Sequence, residues 1–307
     1  MQDFISTRDL SAASIYNILE TAEAMRFKQN FIQGGKFAAN LFFEPSTRTK
    51  TSFQVAEQNL GINALDFHLE GSSVVKGESL YDTARTYEAI GADLLVVRHA
   101  CDHWHDQLVG RISTPIINAG AGKGEHPTQS MLDLLTIYQE FGSFENLNIA
   151  IAGDIKHSRV ARSNAYALTT LGANVCFAAA PGFEDESWDI PYVSIDEACD
   201  SCDVVMLLRI QHERHASVPY QTRTYLTDYG LTIDRERRMQ NHAIVLHPAP
   251  VNRGVEMDTR LVECDRSRIF KQMENGVYTR MAIITILLNQ WGGNHENFTE
   301  KCQTIAT

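Results

Sequence analysis

Residues 42–53 read FFEPSTRTKTSF, a carboxylate, a proline, several hydroxyls and two cations held between two apolar stretches. Pro45 and Ser46 stop an apolar strand, and Phe53, Ala56 and Leu60 mark one face of a helix that Gly61 closes. Ser46, Thr47, Arg48 and Thr49 therefore stand at a helix N-terminus, where unpaired backbone N–H groups and the helix dipole favour an anion. The hydroxyls add donors, and an arginine fork fits the oxygens of a phosphate. Phosphate binding is the chemistry this spacing points to. The alternative is that Ser46 merely caps the helix while its neighbours face water.

Other polar motifs are spread along the chain: GSSVVKGES with Ser72 and Lys76, VVRH with Arg98, HPTQ at 126–129, GDIKHSRVARS with Arg159, LLRIQHER with Arg209 and Gln211, and HPAPVNRG at 247–254. Each falls at the carboxyl end of an expected strand, where loops and helix N-termini gather ligands in α/β sheets.

The strands expected to position them are FAANLFF, LLVVRH, TPIIN, NIAIAGD, NVCFAAA, DVVMLLRI and AIVLHPAP. Their almost continuous apolar character implies burial on both faces, as in parallel sheets covered by helices. Helical spacing appears in SAASIYNILETAEAMRF through Ile15, Ile18, Leu19 and Ala22, and after HPTQ through Leu132, Leu135, Thr136 and Gln139 until Gly142. The expected fold is α/β with two domains, each a parallel sheet flanked by helices. The glycine-rich loop before HPTQ suggests a boundary near residue 130: residues 1–130 as one domain, residues 131–284 as the other, and a C-terminal helix at 285–307 completing the first.

HPTQ is similar to the motif with which transcarbamoylases hold a carbamoyl group, and FFEPSTRT resembles their phosphate-binding motif. With the other motifs in the same order over essentially the whole length, the sequence resembles the aspartate/ornithine transcarbamoylase family. The ornithine branch typically has a basic residue after the glutamate of the first motif and a cysteine in a late HCLP motif; Pro45 and Ala249 stand there instead. Cations at Lys76, Arg159 and Arg209 also suit a dicarboxylate acceptor better than a cationic one.

The resemblance implies transfer of a carbamoyl group from carbamoyl phosphate to L-aspartate, an early step of pyrimidine ring assembly, with no cofactor and no metal. It implies that Ser46, Thr47, Arg48 and Thr49 cradle the phosphate and that Thr49, Arg98 and His126 donate to the carbonyl oxygen. Gln129 and the backbone around Pro248, Ala249 and Pro250 would orient the carbamoyl NH2. Arg159, Arg209, Gln211 and Lys76 would grip aspartate. Ser72 and Lys76 are expected from a neighbouring subunit, hence a homotrimer with shared sites, either bare or in a larger assembly with regulatory chains. A transcarbamoylase for another amino acid, and a sensor of carbamoyl phosphate or dicarboxylates without turnover, are the competing readings.

Composition narrows the partners. The 307 residues carry a formal charge of −11, with 44% hydrophobic and 21% charged residues. This acidity argues against a nucleic-acid or anionic-membrane surface. No apolar run approaches a bilayer-spanning length and the start, MQDFISTRDL, lacks the pattern of a secretory leader, which suggests a cytoplasmic protein. Six scattered cysteines suit free thiols in a reducing compartment. Cys199 and Cys202 have redox or metal spacing, explained equally well by a short helical turn near a strand. AGAGKGEHP lacks the spacing of a phosphate loop, GDIKHSR has one glycine where a dinucleotide fingerprint needs three, and His99, Cys101, His103 and His105 follow no metal-ligand spacing. DRERRMQ reads as a solvated helix face.

Overall fold

The structure, a computed structural model, describes residues 2–27, 32, 35–210 and 222–305. From the N-terminus come α1 (Ala12–Met25), β1 (Phe37–Phe42), α2 (Thr47–Asn59), β2 (Asn63–Asp66), α3 (Leu80–Ala89), β3 (Leu94–His99) and β4 (Ile116–Ala121). There follow α4 (Pro127–Phe141), β5 (Asn148–Ala152), α5 (Arg159–Thr170), β6 (Asn174–Ala178), α6 (Ile195–Ser201), β7 (Val204–Leu207), α7 (Thr222–Tyr229), α8 (Ile233–Arg238), β8 (Ile244–Leu246) and α9 (Ile269–Ile305). Two compact units result, one of Met1–Ser6, Tyr16–Thr128 and Gly276–Thr307, the other of Thr7–Ile15 and Gln129–Asn275. Among the described residues no helix is long and apolar enough to cross a membrane.

The first unit holds a parallel sheet in the order β2-β1-β3-β4. Ala39, Leu41, Leu95 and Val97 share a buried cluster with Leu80, Ala84, Trp104 and Leu108. Strand β2 is the element the apolar pattern does not reveal. It is a four-residue edge strand, paired to β1 alone and largely exposed, so nothing selects an apolar run there. Strand β4 runs on through Ala119–Ala121, which read as loop from their glycine-rich context; a register shift between Val97 and His99 keeps it paired with β3.

The second unit repeats the design, in the order β6-β5-β7-β8, all parallel. Ala150, Ala152, Val205, Leu207 and Val245 pack with Ile195, Ala198, Met257 and Ile269. Both sheets bear out the expected α/β class. Gly153, at the end of β5 with φ 137°, is required by this packing, because a Cβ there would lie 2.8 Å from Cβ of Leu208.

The basic stretch DRERRMQ keeps Asp234, Arg237 and Arg238 exposed, as expected, but departs from a solvated role at Arg235. Arg235 of α8 is buried and its guanidinium donates to Asp196 Oδ1 at 3.1 Å and Oδ2 at 2.9 Å, with a further bond to the Gly230 carbonyl at 2.7 Å. The paired guanidiniums of Arg235 and Arg238 hold the Asp196 carboxyl down at about 2. A run of charge in the sequence does not reveal that one of its members faces inward.

Candidate active site

In an open parallel sheet, ligands collect where neighbouring strands are continued in opposite directions. In the first unit that point lies between β1 and β3, since β1 is followed on one side by β2 and on the other by β3. Phe42 and Arg98 are register partners there, and the Phe43 N–H donates to the Arg98 carbonyl at 2.8 Å. The FEPSTRT segment leaves the sheet at this point and enters α2.

Ser46 occupies the N-cap position of α2 with φ −160° but makes no side-chain cap hydrogen bond. Its counterparts Ser79, Ser158, Ser194 and Thr232 each accept a backbone N–H at their own helix starts. The capping alternative for Ser46 is therefore not what its hydroxyl does. Thr47 and Arg48 are exposed and Thr49 is buried, in the first turn of α2. The helix is seated by Phe53 and Ala56, both fully buried, and Arg280 lies over the Phe53 ring at 5.0 Å and bonds Ser52 Oγ at 3.0 Å. Burying a side chain of that size stabilises by about 2 kcal/mol, enough to hold the first turn in place.

Arg98 is positioned from two sides. Its Nε lies 3.4 Å from Glu44 Oε2 and its Nη1 3.3 Å from the Ala119 carbonyl, with only 12% of the side chain exposed. Glu44, the carboxylate of the first motif, is thus an orienting partner for a cation, a role its sequence position does not announce. Ser72 Oγ bonds the Leu69 carbonyl at 2.9 Å, and Lys76 is exposed in a short 3-10 turn ending at Gly77. His126 is buried at the start of α4 and follows Glu125, whose carboxylate accepts from Ser6 Oγ at 2.5 Å.

The glycine-rich loop before His126 has its amides engaged by the protein. The Gly122 N–H donates to the His99 carbonyl, Lys123 N–H to Asp102 Oδ1 at 2.6 Å, and Gly124 N–H to the Ala121 carbonyl at 2.8 Å. A cradle needs such donors free, so this is a pinned turn. Gly122, with φ 37°, would place a Cβ 2.0 Å from Asp102 Oδ1.

The corresponding point in the second unit lies between β5 and β7. Arg159 opens α5, capped by Ser158 Oγ, and Arg209 follows β7. Asp154, buried before α5, accepts from the backbone N–H of His157 at 3.1 Å. The Ile210 N–H donates to Glu256 Oε1 at 2.8 Å, and Asn252 donates to the same carboxylate from its backbone at 2.8 Å and its side chain at 2.7 Å. Burial raises the Glu256 carboxyl against these bonds. Asn252 of the HPAPVNRG motif and Glu256 thereby fix the segment that carries Arg209. Gln211 lies outside the described residues.

After β8, His247 is buried and its backbone N–H donates to Gln272 Oε1 at 3.0 Å. The Ala249 N–H donates to His247 Nδ1 at 2.9 Å, so the neutral ring keeps its proton on Nε2. Ala249 itself has φ 52°, a left-handed conformation that costs a non-glycine residue about 1–2 kcal/mol. The His247 ring, the Gln272 amide and the Pro248–Ala249–Pro250 backbone thus form one braced loop. Gln129, where the longer segment of this unit begins, donates from Nε2 to Asp133 Oδ1 at 2.9 Å.

Among the described residues, no three His, Cys, Asp or Glu side chains gather as a metal ion would require. Five cysteines, 101, 176, 199, 202 and 264, are free thiols. Cys202 leaves the end of α6, and its sulfur lies 3.8 Å from Cys176 rather than beside Cys199. Cys199 is buried in the core, which pushes its thiol up to about 12.

Each unit is thus a parallel sheet with an arginine at or near the strand ends flanking its switch point, an arrangement suited to small anionic ligands. Residues 2–139 match the aspartate/ornithine carbamoyltransferase carbamoyl-P binding domain and residues 145–287 the Asp/Orn binding domain. The chain belongs to the aspartate/ornithine carbamoyltransferase family. It is 60% identical to the aspartate carbamoyltransferase catalytic subunit of Oceanobacillus iheyensis, over all of this chain and 99% of that protein. It is 52% identical to the corresponding subunit of Staphylococcus saprophyticus, over 95% of this chain and 99% of that one. Among solved structures it resembles aspartate transcarbamoylase of Trypanosoma cruzi in complex with N-(phosphonacetyl)-L-aspartic acid, with TM-score 0.84 and 32% identity over 92% of this chain and 94% of that chain. The catalytic subunit of M. jannaschii aspartate transcarbamoylase gives 0.83 at 33% identity, over 94% and 99%.

Proposed function

We propose that this chain transfers the carbamoyl group of carbamoyl phosphate to the amine of L-aspartate, giving N-carbamoyl-L-aspartate and phosphate. The observation that carries the reading is the placement of Arg48 and Arg98 about the switch point of one sheet and of Arg159 and Arg209 about that of the other. Such pairs suit two separate anions. The T. cruzi relative binds carbamoyl phosphate and aspartate, which supports the same substrates here.

In this reading Arg48 and Arg98 serve carbamoyl phosphate, and Arg159 and Arg209 serve aspartate. Ser46, Thr47, Arg48 and Thr49 hold the phosphate with helix N–H groups and hydroxyls. Thr49, Arg98 and His126 donate to the carbonyl oxygen, while Gln129 and the carbonyls around Pro248–Pro250 accept from the NH2. Arg159 and Arg209, with Gln211, bind the aspartate carboxylates.

The deprotonated amine attacks the carbonyl carbon, charge gathers on the oxygen, and phosphate leaves when the C–O bond breaks. Each donor aimed at that oxygen is worth about 3 kcal/mol in the transition state, and holding the two substrates in attack geometry contributes at least as much. The departing phosphate accepts the amine proton.

The exposed Lys76 turn, beside an exposed Val75, supports a further assignment: Ser72 and Lys76 complete the site of a neighbouring copy in a homotrimer. Relatives named as catalytic subunits support work within an assembly, bare or joined by regulatory chains. Free thiols throughout the described residues suit a cytoplasmic setting.

The test offers aspartate and ornithine together with carbamoyl phosphate and identifies the product by mass. N-carbamoyl-L-aspartate is expected. Carbamoylation of ornithine alone, or no turnover, overturns the reading, and the solution mass decides the trimer.

A further inference from the structure

The geometry points to Asp133 as the residue that sets the polarity of the Gln129 amide and so makes the chain select a carbamoyl donor over an acyl donor. This rests on the role proposed for Gln129. Asp133 lies one turn after Gln129 on α4 and is fully buried. Its Oδ1 accepts from Gln129 Nε2 at 2.9 Å and from Gln272 Nε2 at 2.7 Å, and its Oδ2 accepts from Asn164 Nδ2 at 2.8 Å. Three primary amides from α4, α5 and α9 therefore converge on one carboxylate.

An amide can present either end to a partner, but a carboxylate only accepts. Each of the three must turn its nitrogen to Asp133 and its oxygen away. Two of those oxygens have partners that agree. Gln272 Oε1 accepts the His247 N–H at 3.0 Å, and Asn164 Oδ1 is 3.1 Å from Ser130 Oγ, a hydroxyl that can donate. The same logic makes Gln129 Oε1 an acceptor. An acceptor there pairs with the NH2 of a carbamoyl group, whereas the methyl of an acetyl donor leaves it unpaired. Through Gln272 the same carboxylate also anchors the start of the His247–Pro250 loop, the other proposed contact of that NH2.

Asp133 touches no substrate in this scheme; it is a positioning residue. The sequence hides it, because an aspartate inside SMLDLL looks like a chance polar residue on a buried helix.

The test compares kcat/KM for carbamoyl phosphate and acetyl phosphate, with aspartate as acceptor, in the full-length protein and its variants. Asp133→Asn keeps the shape but lets the Gln129 amide turn over, and is expected to lower the carbamoyl-to-acetyl ratio about tenfold or more, chiefly through KM for carbamoyl phosphate. The aspartate KM should stay within about twofold, since no carboxylate contact is altered. Asp133→Glu keeps the anion and should retain most of the ratio. Asp133→Ser, which removes the anion with less bulk, is assayed in parallel in case the asparagine variant does not fold. An unchanged ratio in the folded asparagine or serine variant overturns the inference, as does an equal loss in the glutamate variant, which would mean packing alone. Absence of turnover in the unaltered protein would instead sink the functional reading.

Discussion

Glu44 and Arg98 stand at the ends of adjacent parallel strands with Oε2 and Nε 3.4 Å apart, a carboxylate holding a cation beside the start of α2. Removing the carboxylate takes one anchor from Arg98, whose Nη1 still meets the Ala119 carbonyl. Glu44→Ala should raise the KM for carbamoyl phosphate about tenfold, because a misplaced donor costs more than the net positive charge returns. Steady-state kinetics with aspartate saturating would show it. A KM at or below that of the unaltered protein refutes the positioning role.

The two arginine pairs should separate by substrate. Arg209→Ala is expected to raise the aspartate KM on the order of a hundredfold, the loss of a charge-assisted carboxylate contact, with a far smaller effect on carbamoyl phosphate. Arg48→Ala should do the reverse. Equal changes in both constants for either variant contradict the assignment of one substrate to each arginine pair.

Sharing of sites between copies has its own test. Lys76→Ala and Arg48→Ala proteins, each strongly impaired alone at limiting carbamoyl phosphate, should recover part of the activity when mixed, dissociated and reassembled, since some sites then receive both intact residues. No recovery in reassembled mixed oligomers argues against a donated Lys76.

A buried carboxyl on the same helix as the proposed phosphate-binding residues sets a pH dependence of stability. Glu57 is fully buried, its Oε2 accepts from Asn40 Nδ2 at 2.8 Å, and desolvation pushes it from 4.5 up to about 8. Between those values the unfolded chain has released a proton that the folded chain retains. Stability therefore falls as pH rises from about 4.5 and levels off above about 8, by a few kcal/mol. Glu57→Gln should flatten this slope and be the more stable protein at pH 8. Urea midpoints across that range would show it, and an unaltered slope would falsify the account.

Much of this was legible in the residues. Seven strands were readable because burial on both faces demands uninterrupted apolar runs, and the motifs were readable because their polar residues interrupt that pattern at strand ends. The edge strand β2 escaped because a largely exposed strand carries no such run. Glu44, Asp133 and Arg235 escaped for a common reason. Each is a charged residue whose meaning comes from a partner far away in the chain or from the burial of its neighbours, and spacing along one element cannot report either. The thiol pairing shows the same limit, since Cys202 faces Cys176 across 26 positions rather than its near neighbour Cys199.

Ser46 leaves the opening amides of its helix without the hydroxyl acceptor that its counterparts supply elsewhere. A phosphate bound there would serve as that acceptor, making the ligand a missing piece of secondary structure. Affinity and local order would then be one quantity, and amide exchange over residues 47–49 should slow in step with occupancy.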